Sequence, residues 1–313
     1  MRNIFAIGES LLDIIFSDGL PNSAKAGGSM LNSVVSLGRI GLPVHFITEY
    51  GLDSPGKLID TFLEQNGVST GYICRYKEGQ TAIALAFLDN KKNAHYSFYK
   101  NYPASRLTMT MPRIKSSDIF LYGSIYSITP EVRKPFSELV KNASANKAIC
   151  LYDPNFRTPH LSELEKLRPL IIENMAAATI IRASDEDFRN IFGAVTADEA
   201  WDLARGCCSC LVYTANKDGI FVRTGNFRGY FPVRSIEPVS TIGAGDNFNA
   251  GIIASLYLDN ISSGDITKLG EKEWNRIISL ATEFATDVCL GYDNYISTGF
   301  AGKIKARHKI TEL

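Results

Sequence analysis

The chain has 313 residues, long enough for one large domain or two average ones, and its 33 basic residues balance 33 acidic ones. Because no net charge gathers a polyanion, we expect no nucleic-acid or membrane partner, and small-molecule chemistry is favoured. Hydrophobic residues make up 45 % of the chain, yet no apolar run approaches the roughly 20 residues of a membrane span. The first residues lack the features of a signal peptide, so we expect a cytoplasmic protein.

Short β-rich runs alternate with amphipathic helical segments, which predicts an α/β fold with a mainly parallel sheet covered by helices on both faces. The predicted strands cover residues 3–9, 44–50, 118–124, 148–153, 178–183 and 210–214. The predicted helices cover residues 29–40, 55–66, 130–146, 162–174, 197–207, 244–258 and 271–290.

One region, residues 70–99, breaks this alternation. It contains GYICRY at 71–76 and TAIALAFLDNKKNAHYSFY at 81–99, with a turn predicted at 89–93. Strands without helices between them do not fit a parallel array, so we expect a small antiparallel sheet that projects from the main body. Together, residues of about 10–20 and 70–100 would form a lid beside a ligand site.

The six cysteines lie at positions 74, 150, 207, 208, 210 and 289. In a cytoplasmic chain we expect them to be reduced thiols. The cluster CCSC at 207–210 has neither a second CxxC pair nor histidines at zinc spacing, so the sequence does not predict a metal site there.

The stretch TIGAGDNFNAG at 241–251 places Gly243, Ala244 and Gly245 directly before Asp246, at the start of a predicted helix. Backbone N–H groups at a helix start are unpaired and the aligned dipoles favour an anion, so these small residues suit a phosphate or oxyanion cradle. A carboxylate there makes sense if it takes a proton from an attacking hydroxyl. The alternative is a tight turn with a capping Asp. Neither the dinucleotide fingerprint nor the P-loop is matched.

This segment resembles the second signature of the PfkB carbohydrate kinases, the ribokinase-like family, whose usual form is DTxGAGDxFxAG. It matches at Thr241, Gly243, Ala244, Gly245, Asp246, Phe248, Ala250 and Gly251. Other landmarks follow in the family's order: GESLLD (8–13), GGSMLNSVVSLGRIG (27–41), GLDSPG (51–56), FYK (98–100), GSI (123–125), DPNFR (153–157), SDED (184–187) and TANKDG (214–219). The resemblance implies a single ribokinase-like domain over 1–313 and an ATP-dependent sugar kinase with Asp246 as general base.

Four residues are candidates for sugar binding. Asp13 lies just beyond the first predicted strand, where open α/β sheets place ligands. Gly27 and Gly28 precede a helix start, and Asn32, one turn on, offers both a donor and an acceptor. Without the resemblance, a helix cap or a surface turn would be the better explanation of Asp13.

Two cationic residues are further candidates for substrate or phosphate contact. Arg157, in DPNFR, could pair with phosphate or with a polar substrate, the alternative being a surface salt bridge. Lys100 ends FYK, where fructokinase-like members often have Arg, so the charge is kept but the planar fork is lost.

The resemblance also implies a nucleotide and metal site. Ser184 and Asp187 occupy the NxxE positions that the family links to magnesium and ATP phosphates, with Glu186 as a second carboxylate that could hold Mg²⁺ through water. In TANKDG, Thr214, Asn216 and Gly219 would border the nucleotide. Asn216 replaces a glycine, and Asn tolerates positive φ better than most residues.

Two positions depart from the signature in a way that bears on ions. Ser240 replaces its leading Asp and Ile242 its second Thr. In ribokinase-like relatives these positions help to form a monovalent-cation site, so the loss of two oxygen ligands argues against cation activation. The resemblance further implies a homodimer through the lid.

The landmarks FYK, GSI and DPNFR, with Ser184, resemble fructokinases and 2-keto-3-deoxygluconate kinases more than other members, and we favour fructose as the substrate. The sugar acid stays open because Lys100 and Arg157 could bind its carboxylate, and a nucleoside is the third choice. A catalytically weak sugar-binding regulatory protein is the alternative from another functional class.

Overall fold

The computed structural model describes residues 2–88 and 94–310. Its strands are β1 Ile4–Ile7, β2 Leu11–Ser17, β3 Leu20–Gly27, β4 Val44–Gly51, β5 Val68–Tyr76, β6 Gln80–Leu88, β7 Ala94–Asn101, β8 Ile119–Gly123, β9 Ile149–Asp153, β10 Ile180–Ser184, β11 Cys210–Thr214, β12 Ile220–Thr224 and β13 Arg228–Phe231. Its helices are α1 Ser29–Arg39, α2 Ser54–Gln65, α3 Pro130–Ala145, α4 Leu164–Ala176, α5 Asp185–Phe192, α6 Ala197–Ala204, α7 Ala244–Leu258, α8 Glu271–Cys289 and α9 Thr298–His308.

The central sheet has nine strands in the order β13-β12-β11-β10-β9-β8-β1-β4-β5. All pairs from β11 to β5 are parallel, and only β12 and β13 are added antiparallel at one edge. The carboxyl ends of the parallel strands therefore meet along one edge, where α/β sheets of this kind bind ligands.

Helices cover both faces of this sheet, as predicted. Consecutive residues of β1 alternate between two apolar clusters, since Ile4 and Ala6 belong to one and Phe5 and Ile7 to the other. The first cluster packs against α1, α2, α7, α8 and α9, and the second against α3, α4, α5 and α6. The predicted α/β class is thereby confirmed.

A second, small sheet has the order β3-β2-β6-β7. Its outer pairs are antiparallel, but β2 and β6 pair parallel, so the sheet is mixed rather than purely antiparallel. The prediction that GYICRY belongs to this sheet is wrong: β5 pairs parallel with β4 at the edge of the central sheet. The physical reason is that α2 connects β4 to β5, which makes a βαβ unit. The turn predicted at 89–93 lies outside the described residues.

Two polar contacts tie the small sheet to the main body. Asp53 caps α2 and accepts hydrogen bonds from both the backbone N–H of Thr81 (2.8 Å) and its hydroxyl (2.5 Å) at the start of β6. On β3, Lys25 Nζ donates to the carbonyl of Tyr292 at 2.7 Å and to Asp293 Oδ1 at 3.1 Å. The small sheet is thus attached both to the start of α2 and to the loop that follows α8.

The carboxyl-terminal part holds elements that were not predicted: the β12–β13 hairpin and α9. Among the residues described, no helix combines the length and the apolar character that a membrane crossing requires.

Helices α7 and α8 approach closely at Gly251. A Cβ added to Gly251 would lie 2.4 Å from the Cα of Ala281, a distance at which backbone must move. Small residues at this crossing therefore set the position of α7, and with it the position of Asp246 in its first turn.

We expect Gly251→Ala to destabilise the fold by roughly 1–3 kcal/mol, because the added methyl group forces the two helices apart. The matched control is Gly302→Ala in α9, an exposed site with no atom within 4 Å of the added Cβ. There the same change should stabilise by up to about 1 kcal/mol through helix propensity. Urea denaturation measures both, and equal effects would contradict the packing argument.

Candidate active site

The amino-terminal ends of α1 and α7 meet at the carboxyl edge of the central sheet, and Asp246 lies between them. Its Oδ1 accepts a hydrogen bond from the Ser29 hydroxyl at 2.6 Å, and its Oδ2 accepts one from Asn32 Nδ2 at 2.8 Å. Ser33, one turn further along α1, donates to the Asp246 carbonyl at 2.7 Å. Two residues of α1 therefore fix the orientation of the carboxylate, and a third, Ser33, fixes the backbone of the same residue.

The Asp246 side chain is only 9 % exposed, and this burial changes the pKa of its carboxyl. Desolvation raises the pKa of this carboxyl above its ordinary value, while the bonds from Ser29 and Asn32 and the charges of Arg157 and Arg182 act in the opposite direction. A carboxylate with a raised pKa is a stronger base, so the arrangement is suited to taking up a proton.

The start of α7 has the geometry of an anion cradle. Gly243 caps the helix with φ +79°, a left-handed conformation that favours glycine, and an added Cβ would lie 2.6 Å from the Asn294 carbonyl oxygen. The N–H of Ala244 donates to the Thr241 carbonyl at 3.3 Å. The N–H groups of Gly243, Gly245 and Asp246 have no acceptor among the described residues. The predicted helix start is confirmed, with these three as its available donors.

Two further residues near Asp246 were not assigned a role from the sequence, although DPNFR placed Asn155 at this sheet edge. Ser29 is the first residue of α1, and Asn155, with φ 41°, donates through Nδ2 to the Ser29 hydroxyl at 3.1 Å. The Asn155 N–H donates in turn to Asp153 Oδ1 at 3.1 Å. The motifs GGSMLN and DPNFR are therefore connected through one hydroxyl group, and their adjacency at the same sheet edge was the available signal.

A buried ion pair lies behind this group and was also missed. Arg182, on β10, donates through Nη1 to Asp153 Oδ2 at 3.1 Å and through Nη2 to the Thr214 hydroxyl at 3.0 Å. Asn249 Nδ2, on α7, donates to the same Asp153 oxygen at 2.6 Å. Burial raises the pKa of Asp153, and the guanidinium of Arg182 counteracts this. A lone cation within the apolar run ATIIRA was the sequence signal.

On the other side of the edge, the predicted sugar residues Asp13 and Gly27 lie face to face. A Cβ on Gly27 would be 2.1 Å from Asp13 Oδ2, so the carboxylate lies directly over the glycine backbone. Burial, followed by the nearby charge of Glu9, raises the pKa of Asp13 to about 6, and Lys25 acts in the opposite direction. Gly28, with φ 136°, caps α1. Asn32 leaves its Oδ1 buried and without a partner among the described residues.

The two predicted cationic residues have different surroundings. Lys100 Nζ lies 2.6 Å from Glu9 Oε1, and the Tyr102 hydroxyl donates to the same oxygen at 2.6 Å. Arg157 is exposed, and its charge acts on Asp246. Glu9 is thus a member of the site that the sequence did not indicate, held by Lys100 of β7 and by Tyr102 just after that strand.

The predicted metal residues form a helix cap. Asp187 Oδ2 accepts from the N–H and hydroxyl of Ser184, and its Oδ1 accepts from the N–H of Phe156 at 2.7 Å. Glu186 is half-exposed at the protein surface, near the hydroxyl of Thr158. No cluster of three or more His, Cys, Asp or Glu side chains suited to a metal ion occurs in the part of the chain that the structure describes.

The predicted nucleotide residues follow β10 and β11. Ser184 ends β10, and Thr214, paired with it in register, ends β11. Asn216 has φ 47°, so the expected tolerance of positive φ is confirmed, and Gly219 has φ 98°. These residues lie along the same edge as Asp246, and Thr214 accepts a hydrogen bond from Arg182, whose charge acts on Asp246.

A cavity of about 730 Å³ lies at the opposite edge of the sheet, lined among others by Arg39, Val44, His45, Glu64 and Thr298. These residues come from the amino-terminal end of β4, the last turns of α1 and α2, and the start of α9. None of the predicted site residues lines it. The buried polar groups that could do chemistry lie at the carboxyl edge instead.

We expect Asp13→Asn to stabilise the ligand-free protein at about pH 8 by roughly 1–2 kcal/mol. The folded pKa of about 6 lies above the ordinary 3.8, so the folded state binds the proton more tightly. The stability contributed by this group is therefore full below pH 3.8 and is lost as the pH rises through about 6.

Urea denaturation of both proteins, at about pH 8 and about pH 4.5, measures this difference, which should shrink at the lower pH. The control is Asp18→Asn, an exposed aspartate in the turn between β2 and β3. A gain that is the same at both pH values would contradict the assigned cause.

A model of the pfkB family carbohydrate kinases matches residues 1–290. Probable fructokinase-4 from Arabidopsis thaliana is 28 % identical over 282 residues, which cover 86 % of this chain and 86 % of that protein. The chloroplastic probable fructokinase-6 of the same plant is 30 % identical over 274 residues, covering 82 % of this chain and 70 % of that protein.

Solved structures share the fold. A fructokinase with bound ATP from Xylella fastidiosa has a TM-score of 0.80 at 20 % identity, covering 98 % of this chain and 99 % of that one. An aminoimidazole riboside kinase from Salmonella enterica, complexed with aminoimidazole riboside and an ATP analog, has a TM-score of 0.82 at 19 % identity, covering 98 % and 100 %. The ribokinase-like fold and the sugar-kinase class are confirmed. With the family model spanning nearly its whole length, the chain belongs to the pfkB family of carbohydrate kinases.

Proposed function

We propose that the protein transfers the γ-phosphate of ATP to a primary hydroxyl of fructose, with Asp246 as general base. The observation that carries this proposal is the buried Asp246 carboxylate, oriented by Ser29 and Asn32 at a helix start with available N–H donors. One group accepts a proton and its neighbours stabilise negative charge, which is the combination that phosphoryl transfer to an alcohol requires.

In this mechanism Asp246 removes the proton from the sugar hydroxyl as that oxygen attacks the γ-phosphorus. The bonds from Ser29 and Asn32 keep the carboxylate in one orientation, and burial keeps its basicity high. A positioned base of this kind contributes roughly 10²–10⁴ in rate. The N–H groups of Gly245 and Asp246, at the cradle that Gly243 and Ala244 begin, receive the charge on the phosphoryl group.

The sugar would lie between Asp13, Gly27, Gly28 and Asn32, under the small sheet. The buried Oδ1 of Asn32 has no partner among the described residues and can accept a bond from a sugar hydroxyl. The nucleotide would lie along Ser184, Thr214, Asn216 and Gly219. We propose that the small sheet closes as a lid and excludes water, which would otherwise accept the phosphoryl group.

Magnesium is the metal we propose, since Mg²⁺ is usually held by one or two carboxylates together with water and substrate phosphates. Of the two predicted carboxylates, Asp187 has both oxygens bonded within the protein, whereas Glu186 is half-exposed. Glu186 therefore fits a water-mediated contact with the metal better, while Asp187 fixes the neighbouring loop after β9 through the N–H of Phe156. The bound metal would neutralise phosphate charge. We propose no bound monovalent cation, because Ile242 offers no side-chain oxygen as a ligand.

Fructose is favoured over a sugar acid by the charges at the sugar side. Lys100, which could have bound a substrate carboxylate, is paired with Glu9. Glu9 and Asp13 are themselves close enough for the charge of one to raise the pKa of the other. Because Lys100 compensates Glu9, Asp13 is the carboxylate that accepts hydrogen bonds from a neutral polyol and repels an acid. The curated relatives named fructokinases support the same choice.

A homodimer through the small sheet and a cytoplasmic location stay predictions. The dimer is supported by four aromatic side chains of β6 and β7 that are 41–61 % exposed: Phe87, Tyr96, Phe98 and Tyr99. Light scattering would distinguish a dimer from a single chain of 34.5 kDa.

We expect ADP release to be fastest with fructose in a panel that also contains 2-keto-3-deoxygluconate, ribose and a nucleoside. The acid should be the poorer substrate because Asp13 repels its carboxylate and Lys100 is already paired with Glu9. A coupled assay of ADP formation measures all four. Turnover on the acid alone would reverse the substrate choice, and no ADP with any of them would favour the sugar-binding regulatory protein.

We expect Asp246→Asn to lower kcat at least about 10²-fold while the affinity for the sugar changes little, because the amide cannot accept the proton. The matched control is Asp259→Asn, which makes the same change at the exposed far end of α7. Steady-state kinetics and calorimetric sugar binding give the two readouts. Near-normal turnover of the Asp246 variant would exclude it as the base.

A further inference from the structure

Arg182 is a buried cation that has no role in the reaction proposed above. It is 9 % exposed and lies on β10, where its neighbours Ile180, Ile181 and Ala183 are fully buried. Taking a guanidinium out of water is costly unless its charge and its donors find partners. Its position therefore calls for an anion.

Asp153 provides a negative charge next to Arg182, but it does not accept all of the hydrogen bonds that the guanidinium can donate. A guanidinium has five N–H donors. The described residues accept from two of its nitrogens, Nη1 to Asp153 and Nη2 to Thr214, and leave Nε buried without a partner. Unused donors on a buried charge mark a place where a further acceptor would be stabilised.

The guanidinium lies against the start of α7. A Cβ placed on Gly245 would be 2.9 Å from Arg182 Nη1 and 3.4 Å from its Cζ, so the planar group covers the Gly245 backbone. The N–H groups of Gly245 and Asp246, which also lack acceptors among the described residues, belong to this same turn. Helix donors and a fixed cation thus converge, a combination that binds phosphate strongly.

We propose that Arg182 is a catalytic residue that contacts the transferred phosphoryl group, in addition to the backbone cradle. This inference rests on the proposed phosphoryl transfer. In that step the sugar oxygen bonds to the γ-phosphorus as the bond to the β,γ-bridging oxygen breaks. The sugar proton passes to Asp246 and ADP leaves. Arg182 exchanges no proton and stabilises the charge on the group in flight.

A purely structural role is the competing explanation. Arg182 compensates Asp153, and its charge also acts on Asp187 and Asp246, so its loss would leave buried carboxylates without a cation. The double variant Asp153→Asn with Arg182→Gln removes both charges of the pair together. If Arg182 only balances Asp153, this double variant recovers the activity that Arg182→Gln loses.

The experiment compares wild type with Arg182→Gln, Arg182→Lys and the double variant. We expect Arg182→Gln to lower kcat at least about 10²-fold, as loss of one transition-state donor does. We expect Arg182→Lys to recover only part of this, since it keeps the charge without the fork. The double variant should stay slow. The control is Arg223→Gln, a buried arginine on β12 that is paired with Asp198, which should keep the wild-type kcat.

Calorimetry with ADP alone and with ADP plus aluminium fluoride supplies a readout that a structural role would not move. Arg182→Gln should bind ADP within about twofold of wild type but bind the fluoride complex, which imitates the transferred phosphoryl group, at least about tenfold more weakly. Equal loss for both ligands, or recovery of kcat in the double variant, would overturn the proposal. A wild-type protein that forms no ADP with any sugar would contradict the proposed function instead, while the two affinities still decide the role of Arg182.

Discussion

The site depends on keeping a charged carboxylate in a place with almost no water. An ion at the Asp246 position would be strongly destabilised by burial alone. Two helix starts, two side-chain donors from α1 and two nearby arginines supply the compensation. Because burial still dominates, the carboxyl keeps a raised pKa, and a charged but basic group is what a proton acceptor needs. The meeting of α1 with α7 is therefore both a packing requirement and a chemical one.

The same constraint explains why polar residues continue behind Asp246. Asp153 and Asp187 are buried carboxylates at neighbouring strand ends, and their oxygens accept bonds from Arg182, Asn249, Ser184 and backbone N–H groups. These bonds fix the loop after β9 and the start of α5 in one geometry. The strand ends at the proposed nucleotide site are thereby made rigid, whereas the proposed sugar site is completed by a separate sheet.

Much of this could be predicted from sequence because periodicity and the GAGD turn are local signals. The helix at 244–258 begins at Ala244, after the glycine whose φ requires it, and Asn32 proved to contact Asp246. Partners chosen by the tertiary fold had weaker signals. A serine beside glycines and a glutamate in GESLLD are ordinary locally, and the lone arginine in ATIIRA is unusual but does not show which groups it contacts until distant strand ends meet.

Strand pairing was the other feature that could not be predicted from sequence, because it depends on the topology of the fold. GYICRY has the alternation of an exposed hairpin strand, but the preceding α2 makes it the last parallel strand of the central sheet. Conversely, β2 and β6 are far apart in sequence and pair parallel across the small sheet. Local pattern identifies a strand, whereas the connection before it decides which sheet it joins.

The loop after α8 connects the small sheet to the start of α7. Lys25 of the small sheet donates hydrogen bonds to Tyr292 and Asp293. The carbonyl of the next residue, Asn294, lies close to Gly243 and accepts a hydrogen bond from Asn247 at 2.8 Å. A short, continuous path of contacts thus runs from the small sheet to Gly243, the glycine that caps α7. If the small sheet closes over the sugar as proposed, its movement would be transmitted to the proposed phosphate cradle, and the two sites would not act independently.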